Sequence, residues 1–160
     1  MSPQCFNFYV YNRQGVCIHY QEWYRPKSVT QGTGSQADDQ KQMFGLFWTL
    51  NNFCATMNPK DASKPALGQP RKIGEGCRFN SFTTNCYKLH FYETPSGIKF
   101  ILNTSRDVGD LRDLLIALYD DVFVDKVIKN PLYIPGQAFK IPQFNSGVDR
   151  FLSLRGMLQQ

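Results

Sequence analysis

The stretch from Cys86 to Pro131 constrains the fold of this chain more than any other part of the sequence. Large apolar residues recur at every second position from Tyr87 to Glu93 and again from Ile98 to Asn103, a period typical of half-buried β-strands. The intervening Thr94-Pro95-Ser96-Gly97 favours a tight reversal, because proline presets its own φ and glycine tolerates a left-handed backbone. This pattern predicts a β-hairpin.

A long amphipathic helix is predicted directly after the hairpin. Asp107 is a suitable N-cap, and Lys129-Asn130-Pro131 supplies the end, because proline cannot donate the next helical hydrogen bond. One apolar stripe has helical spacing and is expected to pack on the sheet: Val108, Leu111, Leu115, Leu118 and Val122. A second stripe points about 90° or more away on the helical wheel and needs cover from another helix or another protein. It consists of Ile116, Phe123 and Val127.

The N-terminal third predicts a second hairpin and a first long helix. Residues 6–11 and 16–23 read as strands, joined by a turn at Asn12-Arg13-Gln14-Gly15. Helical periodicity begins at Asp38 and ends at Asn58-Pro59. Its apolar face is expected to comprise Met43, Leu46, Phe47, Leu50, Phe53, Cys54 and Met57. Phe44 and Trp48 lie off that face, either packed under a neighbouring loop or exposed as anchors for a partner.

The remaining segments are connections and two short elements. Residues 25–40 and 58–78 are rich in Gly, Pro, Ser and polar residues and are predicted to be mobile loops. A short strand is expected within 78–83, and a C-terminal helix over 145–156 with Asn145 or Ser146 as its cap. The resulting order is ββαβββαα, which indicates an α+β fold in a single domain spanning residues 1–160.

Charge and composition limit the class of protein. The net charge is +5, but the basic residues are scattered, so a nucleic-acid partner is not expected. The chain has no run of about 18 apolar residues, and its start lacks the order of a secretory signal, so we expect a cytoplasmic location. Five cysteines at irregular spacing favour reduced thiols over a disulfide framework.

The sequence contains no common pattern of catalytic or metal-binding residues. Cys17 with His19, and Cys86 with His90, are expected to share strand faces, but they lack the spacing of common zinc sites. No nucleophile and base pair is apparent, and no glycine-rich phosphate loop occurs. We therefore expect no cofactor, no metal and no catalytic residue, although a stand-alone thiol enzyme remains an alternative.

Four segments carry a family resemblance, which covers most of residues 6–131. They are NFYVYNRQGVCIHYQEW, MFGLFWTLNNF, YKLHFYETPSGIKFILNT and VIKNPL, and they resemble the subunit 1 family of the transport protein particle (TRAPP), small longin-type subunits. The resemblance implies a longin-like fold with a five-stranded antiparallel sheet, in the order ββαβββαα that the residues indicate.

The resemblance also implies a function. Such a subunit is a non-catalytic part of a multisubunit guanine-nucleotide exchange factor for a Rab GTPase, which tethers vesicles between endoplasmic reticulum and Golgi. Its partners would be other small TRAPP subunits, both longin-like and subunit 3-like, and the Rab GTPase. Another longin-type module, such as a clathrin-adaptor small chain or a SNARE regulatory domain, remains an alternative. From the helical wheels alone we predict a partner interface of Phe44, Trp48, Ile116, Phe123 and Val127.

Overall fold

The computed structural model describes residues 4–24, 36–60 and 77–158. Five strands form one antiparallel sheet in the order β2-β1-β5-β4-β3. Their bounds are β1 Cys5–Tyr11, β2 Cys17–Glu22, β3 Ser81–Thr83, β4 Lys88–Glu93 and β5 Lys99–Thr104. The helices are α1 Gln36–Thr56, α2 Arg112–Leu118, which continues as π-helical turns over Tyr119–Ile128, and α3 Pro142–Leu154. The predicted α+β class and the order ββαβββαα are confirmed.

Both predicted hairpins form, and each depends on a glycine with positive φ. Gly15 has a φ of +85° and Gly97 of +89°, a region that side chains with a Cβ rarely enter. In the first turn, the Asn12 side chain accepts a hydrogen bond from the Val16 amide at 2.8 Å and donates one to the Gly136 carbonyl at 2.7 Å. Asn12 therefore ties the β1–β2 turn to the segment that precedes α3.

Helices cover both faces of the sheet. On one face α1 packs its buried Phe47 against alternate strand residues, namely Tyr9, Tyr11, Leu89, Phe91 and Ile101. On the other face α2, the π-helical turns and α3 pack against Phe8, Val10, Phe100 and Leu102. The prediction of half-buried strands is therefore wrong for β4, where His90 is only 1% exposed. The alternation was read correctly, but aromatic rings and a histidine fill the face that was expected to stay amphipathic.

The second long helix begins later than predicted. Asp107 lies in a turn before the helix, and the helix begins at Arg112, whose amide donates to the Asp110 carboxylate at 3.2 Å. Val108 and Leu111 are buried although they precede the helix. After Leu118 the turns widen, and the Lys129 amide bonds to the Val124 carbonyl five residues back, at 3.1 Å.

The C-terminal helix α3 begins at Pro142, earlier than the predicted Asn145 or Ser146 cap, because proline suits the first helical position. The chain turns back after it through Gly156, with φ +68°, and the Met157 carbonyl accepts a hydrogen bond from the Cys5 amide at 3.1 Å. Asp149 accepts hydrogen bonds from both Gln21 Nε2 and Trp23 Nε1 at 2.6 Å. These contacts fix α3 to the edge of the sheet that carries β2.

The two predicted loops are only partly within the described residues. Residues 36–40, predicted as loop, are the beginning of α1. Residues 58–60 and 77–78 belong to no helix or strand, as predicted, and residues 25–35 and 61–76 lie outside the described residues.

Candidate partner-binding surface

Helix α1 exposes two large apolar side chains, Trp48 and Phe53, and Met57 directly after the helix is a third. Trp48 is 50% exposed, Phe53 is 61% exposed and Met57 is 62% exposed. On a helical wheel Trp48 and Phe53 are about 140° apart, so they lie on opposite flanks of the outer surface. Single exposed apolar residues are normal on a protein surface. Two large exposed aromatic residues on one helix are less usual, and aromatic residues are enriched at protein interfaces, so the outer surface of α1 is a candidate partner-binding surface.

The two predicted anchors on α1 have different roles. The Phe44 ring contacts Tyr11 at 5.9 Å and Phe47 at 4.9 Å between centroids, and it lies directly over Gly15. Phe44 is therefore mainly part of the packing between α1 and the first hairpin. Trp48, one turn further on, is the more accessible candidate.

The second predicted stripe is covered by this chain itself. Phe123 is 1% exposed and Val127 is fully buried. The Phe123 ring contacts Phe144 of α3 at 5.9 Å, Phe139 at 6.2 Å and Phe100 of the sheet at 5.4 Å. The sequence left open whether another helix of this chain or another protein packs on this stripe, and the structure shows that α3 does. Phe123 and Val127 are thus removed from the candidate interface, because a buried side chain presents no surface to a partner.

The remaining predicted residue, Ile116, is half-buried and lies in the helical layer on the opposite face of the sheet from Trp48. The sheet therefore separates Trp48 from Ile116. The predicted residues do not form one continuous patch, and the two accessible ones belong to different surfaces of the protein.

Sequence reasoning missed an exposed segment between the π-helical turns and α3. Leu132 is 88% exposed and Ile134 is 58% exposed. The segment is held in place at its far end, where the Phe139 amide donates to the Ile18 carbonyl of β2 at 3.1 Å. The sequence did contain a signal for this segment: apolar residues lie between Pro131 and Pro135, and these prolines disfavour a helix in which the apolar side chains could pack.

Two histidines and two cysteines of the interior are held neutral. Burial lowers the pKa of His19 and of His90 to about 4, with the Lys88 charge also lowering that of His90. Burial raises the pKa of the Cys5 thiol to about 12 and that of the Cys17 thiol to about 11. Both thiols are therefore protonated at neutral pH. A nucleophilic cysteine has to be ionised, because the thiolate is the reactive form.

The predicted pairing of Cys17 with His19 on one strand face is wrong. A β-bulge between Val10 and Tyr11 shifts the register, so that Cys17 packs on the α1 side while the His19 ring stacks on Phe139 at 5.3 Å, on the other side. Within residues 4–24, 36–60 and 77–158, no three His, Cys, Asp or Glu side chains gather closely enough to hold a metal ion. Across the same ranges, no helix has both the length and the apolar character that a membrane span requires.

This fold and surface define a class: a small longin-like α+β protein with exposed apolar side chains on the outside of its helices. Comparison with known proteins narrows the class. The chain belongs to the Sybindin-like family, whose model matches residues 5–155.

The relatives are named as subunits of one particle. The chain is 37% identical to trafficking protein particle complex subunit 1 of Dictyostelium discoideum, over 92% of this chain and 93% of that protein. It is 37% identical to the protein of the same name from Homo sapiens, over 91% of this chain and 90% of the human one. It is also 28% identical to transport protein particle subunit bet5 of Schizosaccharomyces pombe, over 92% and 94% of the two chains.

Proposed function

We propose that this chain is a core small subunit of a TRAPP tethering complex, which acts as guanine-nucleotide exchange factor for a Rab GTPase in transport between endoplasmic reticulum and Golgi. The observation that carries the proposal is the end-to-end similarity to proteins named as subunit 1 of the trafficking protein particle. The similarity spans nearly the whole of both chains, so it concerns the complete subunit rather than a shared fragment.

The chain contributes contact area and rigidity, and it is not an enzyme alone. Its partners are other small subunits, longin-like and subunit 3-like, and the Rab GTPase bound by the assembled complex. A surface of this kind accelerates exchange when it binds the nucleotide-free GTPase more tightly than the loaded form, since only differential affinity shifts such an equilibrium. The chain acts in the cytoplasm, at endoplasmic reticulum and cis-Golgi membranes that it reaches through the complex.

The proposal is supported by the chemistry of α1. The half-exposed indole of Trp48 would be desolvated by a partner subunit, and tryptophan is among the residues whose loss costs most at protein interfaces. The neutral thiols and histidines of the interior agree with a structural role for those residues.

The test compares Trp48→Glu with Thr49→Glu, an exposed neighbour on the same helix. Each tagged chain is purified from its own cytosol, the co-purifying proteins are identified by mass, and release of a fluorescent guanine nucleotide from a Rab GTPase is measured with the eluate. We expect Trp48→Glu to lower recovery of partner subunits at least tenfold, because a carboxylate would be buried at the interface. Thr49→Glu should retain partners and exchange activity.

Three outcomes would count against the proposal. Complex assembly unaffected by Trp48→Glu would remove α1 from the interface. Clathrin-adaptor chains among the co-purifying proteins would favour the alternative function, that of a clathrin-adaptor small chain. Turnover of any substrate by the isolated chain would contradict a purely structural role.

A further inference from the structure

A groove of about 680 Å³ lies between the sheet and the N-terminal half of α1. Met43 and Leu46 of α1 form one wall, and Tyr9 and Tyr87 line the sheet side. Its volume is within the range of about 300–1,000 Å³ that ligand sites occupy. We call it the Asn103 groove, after the residue that distinguishes it.

The groove exists because the α1 face of the sheet changes character along β1 and β5. Tyr9 lies opposite Ile101 in the register, and this apolar pair belongs to the cluster that contains Phe47 of α1. The next pair on the same face is Asn7 opposite Asn103. Two asparagines thus replace apolar side chains where the flank of α1 meets the end of the sheet.

Asn103 is incompletely hydrogen-bonded. Only 5% of the residue is exposed, and its Nδ2 donates to Asn7 Oδ1 at 2.7 Å. Its Oδ1 atom is buried and has no hydrogen-bond partner among the described residues. An unsatisfied buried acceptor destabilises the folded protein, and such groups in native proteins need an explanation.

We propose that the Asn103 groove receives a tryptophan or tyrosine side chain from a segment of a partner protein, and that the Asn103 side chain then turns towards the groove, so that the indole N–H or phenol O–H donates to Asn103 Oδ1. The walls suit an aromatic ring, because tyrosine rings offer stacking or edge contacts and methionine packs favourably on aromatic faces. A lipid acyl chain fills apolar space but has no donor, so it would leave the acceptor unpaired. Tryptophan and tyrosine combine an apolar body with a donor, which is the complement of this site.

The inference does not depend on the proposed function, because it rests on the lining of the groove and on Asn103, not on membership of a TRAPP complex. It also lies apart from Trp48, which does not line it. A failure of one proposal therefore leaves the other standing.

The test is an NMR titration of the full chain with N-acetyl-L-tryptophanamide. A second probe replaces the indole by benzothiophene, which has nearly the same shape but no N–H donor. We expect saturable shifts at the Asn103 side-chain amide and at Leu46, and binding roughly three- to tenfold weaker for the benzothiophene probe, since a single hydrogen bond has a net value of this size.

Three variants test the site further. Leu46→Arg places a long charged side chain on the wall and should abolish the shifts, whereas Thr49→Arg, on the exposed side of α1, should not. Asn103→Leu removes the acceptor, so the two probes should bind it with equal affinity. The dispersion of the amide spectrum shows whether each variant is folded.

No saturable binding by the parent chain would overturn the proposal. Equal affinity of the parent chain for the two probes would overturn the role of Asn103. Shifts that survive Leu46→Arg in a folded protein would place the binding elsewhere.

Discussion

Replacement of Phe123 by alanine tests whether the second apolar stripe belongs to the core of the chain or to an interface. The ring is 1% exposed and contacts rings of the sheet, of the π-helical turns, of α3 and of the segment before α3. Truncation of a buried phenylalanine to alanine costs about 3–5 kcal/mol, because transfer free energy is lost and a cavity remains. With a denaturant slope of roughly 2 kcal/mol/M, the urea midpoint of the purified chain should fall by about 2 M.

Trp48→Ala is the matched control for this measurement. Trp48 is similarly large but 50% exposed, and surface substitutions usually change stability by no more than about 0.5 kcal/mol. The reasoning is refuted if Phe123→Ala leaves the midpoint unchanged, or if the two variants lower it equally. Either result would mean that α3 does not seal the stripe in solution.

Three further predictions concern buried polar groups and a turn. Burial holds the pKa of His19 and His90 at about 4, below the ordinary histidine value of about 6.5, so the unfolded chain binds more protons below pH 6.5. Stability should be full above about pH 6.5 and should fall towards pH 4, by about 2 kcal/mol per histidine at pH 5. Urea midpoints at pH 7 and pH 5 measure the loss, which His90→Gln should roughly halve; a flat profile would contradict it. Gly15→Ala should cost more than about 1 kcal/mol in thermal unfolding, because φ is positive and a Cβ there would collide with the Phe44 ring. Asn12→Ala should cost about 1–3 kcal/mol and speed hydrogen exchange of the Val16 amide, which unchanged protection would disprove.

The hairpins and the order of elements were readable from the sequence because their signals are local. Gly15 and Gly97 occupy the two turn positions that require positive φ, and strand alternation was correct on both sides of the second turn. After the first turn it failed, because the bulge places Cys17 and His19 on opposite faces of the sheet. The start of α2 was not readable in the same way. Asp107 and Asp110 are both acceptable near a helix start, and tertiary packing of Leu111 decides between them.

A helical wheel could not show which part of the protein buries the second apolar stripe of the long helix. A wheel assumes a constant 3.6 residues per turn, whereas the turns over Tyr119–Ile128 are wider, so Val122, Phe123 and Val127 all reach the core. The wheel also placed Phe53 on the packed face of α1. Phe53 lies about 120° around the helix from Phe47, which is too far to contact a sheet from the same side.

The candidate binding surfaces were likewise only partly predictable from the sequence. The position of Trp48 off the apolar face was readable from the sequence, but that position left both packing under a loop and exposure open, and the structure shows that Trp48 is half-exposed. The Asn103 groove did not follow, because alternation assigns Asn103 only to the face opposite Phe100 and Leu102, and the burial of that face depends on where α1 crosses the sheet. A single unpaired oxygen is a property of three-dimensional packing that no local pattern encodes.

The order of strands has a consequence for the synthesis of this protein. The neighbour of β1 inside the sheet is β5, and the bonded asparagines Asn7 and Asn103 are 96 positions apart. At a translation rate of roughly 5–20 residues per second, the first hairpin waits about 5–20 seconds on the ribosome before its central neighbour is made. Throughout that interval its aromatic residues lack the strand that completes the sheet, so nascent chains of this protein are most vulnerable to misassociation then. Chaperone capture during translation should accordingly concentrate on the interval between the emergence of β2 and that of β5.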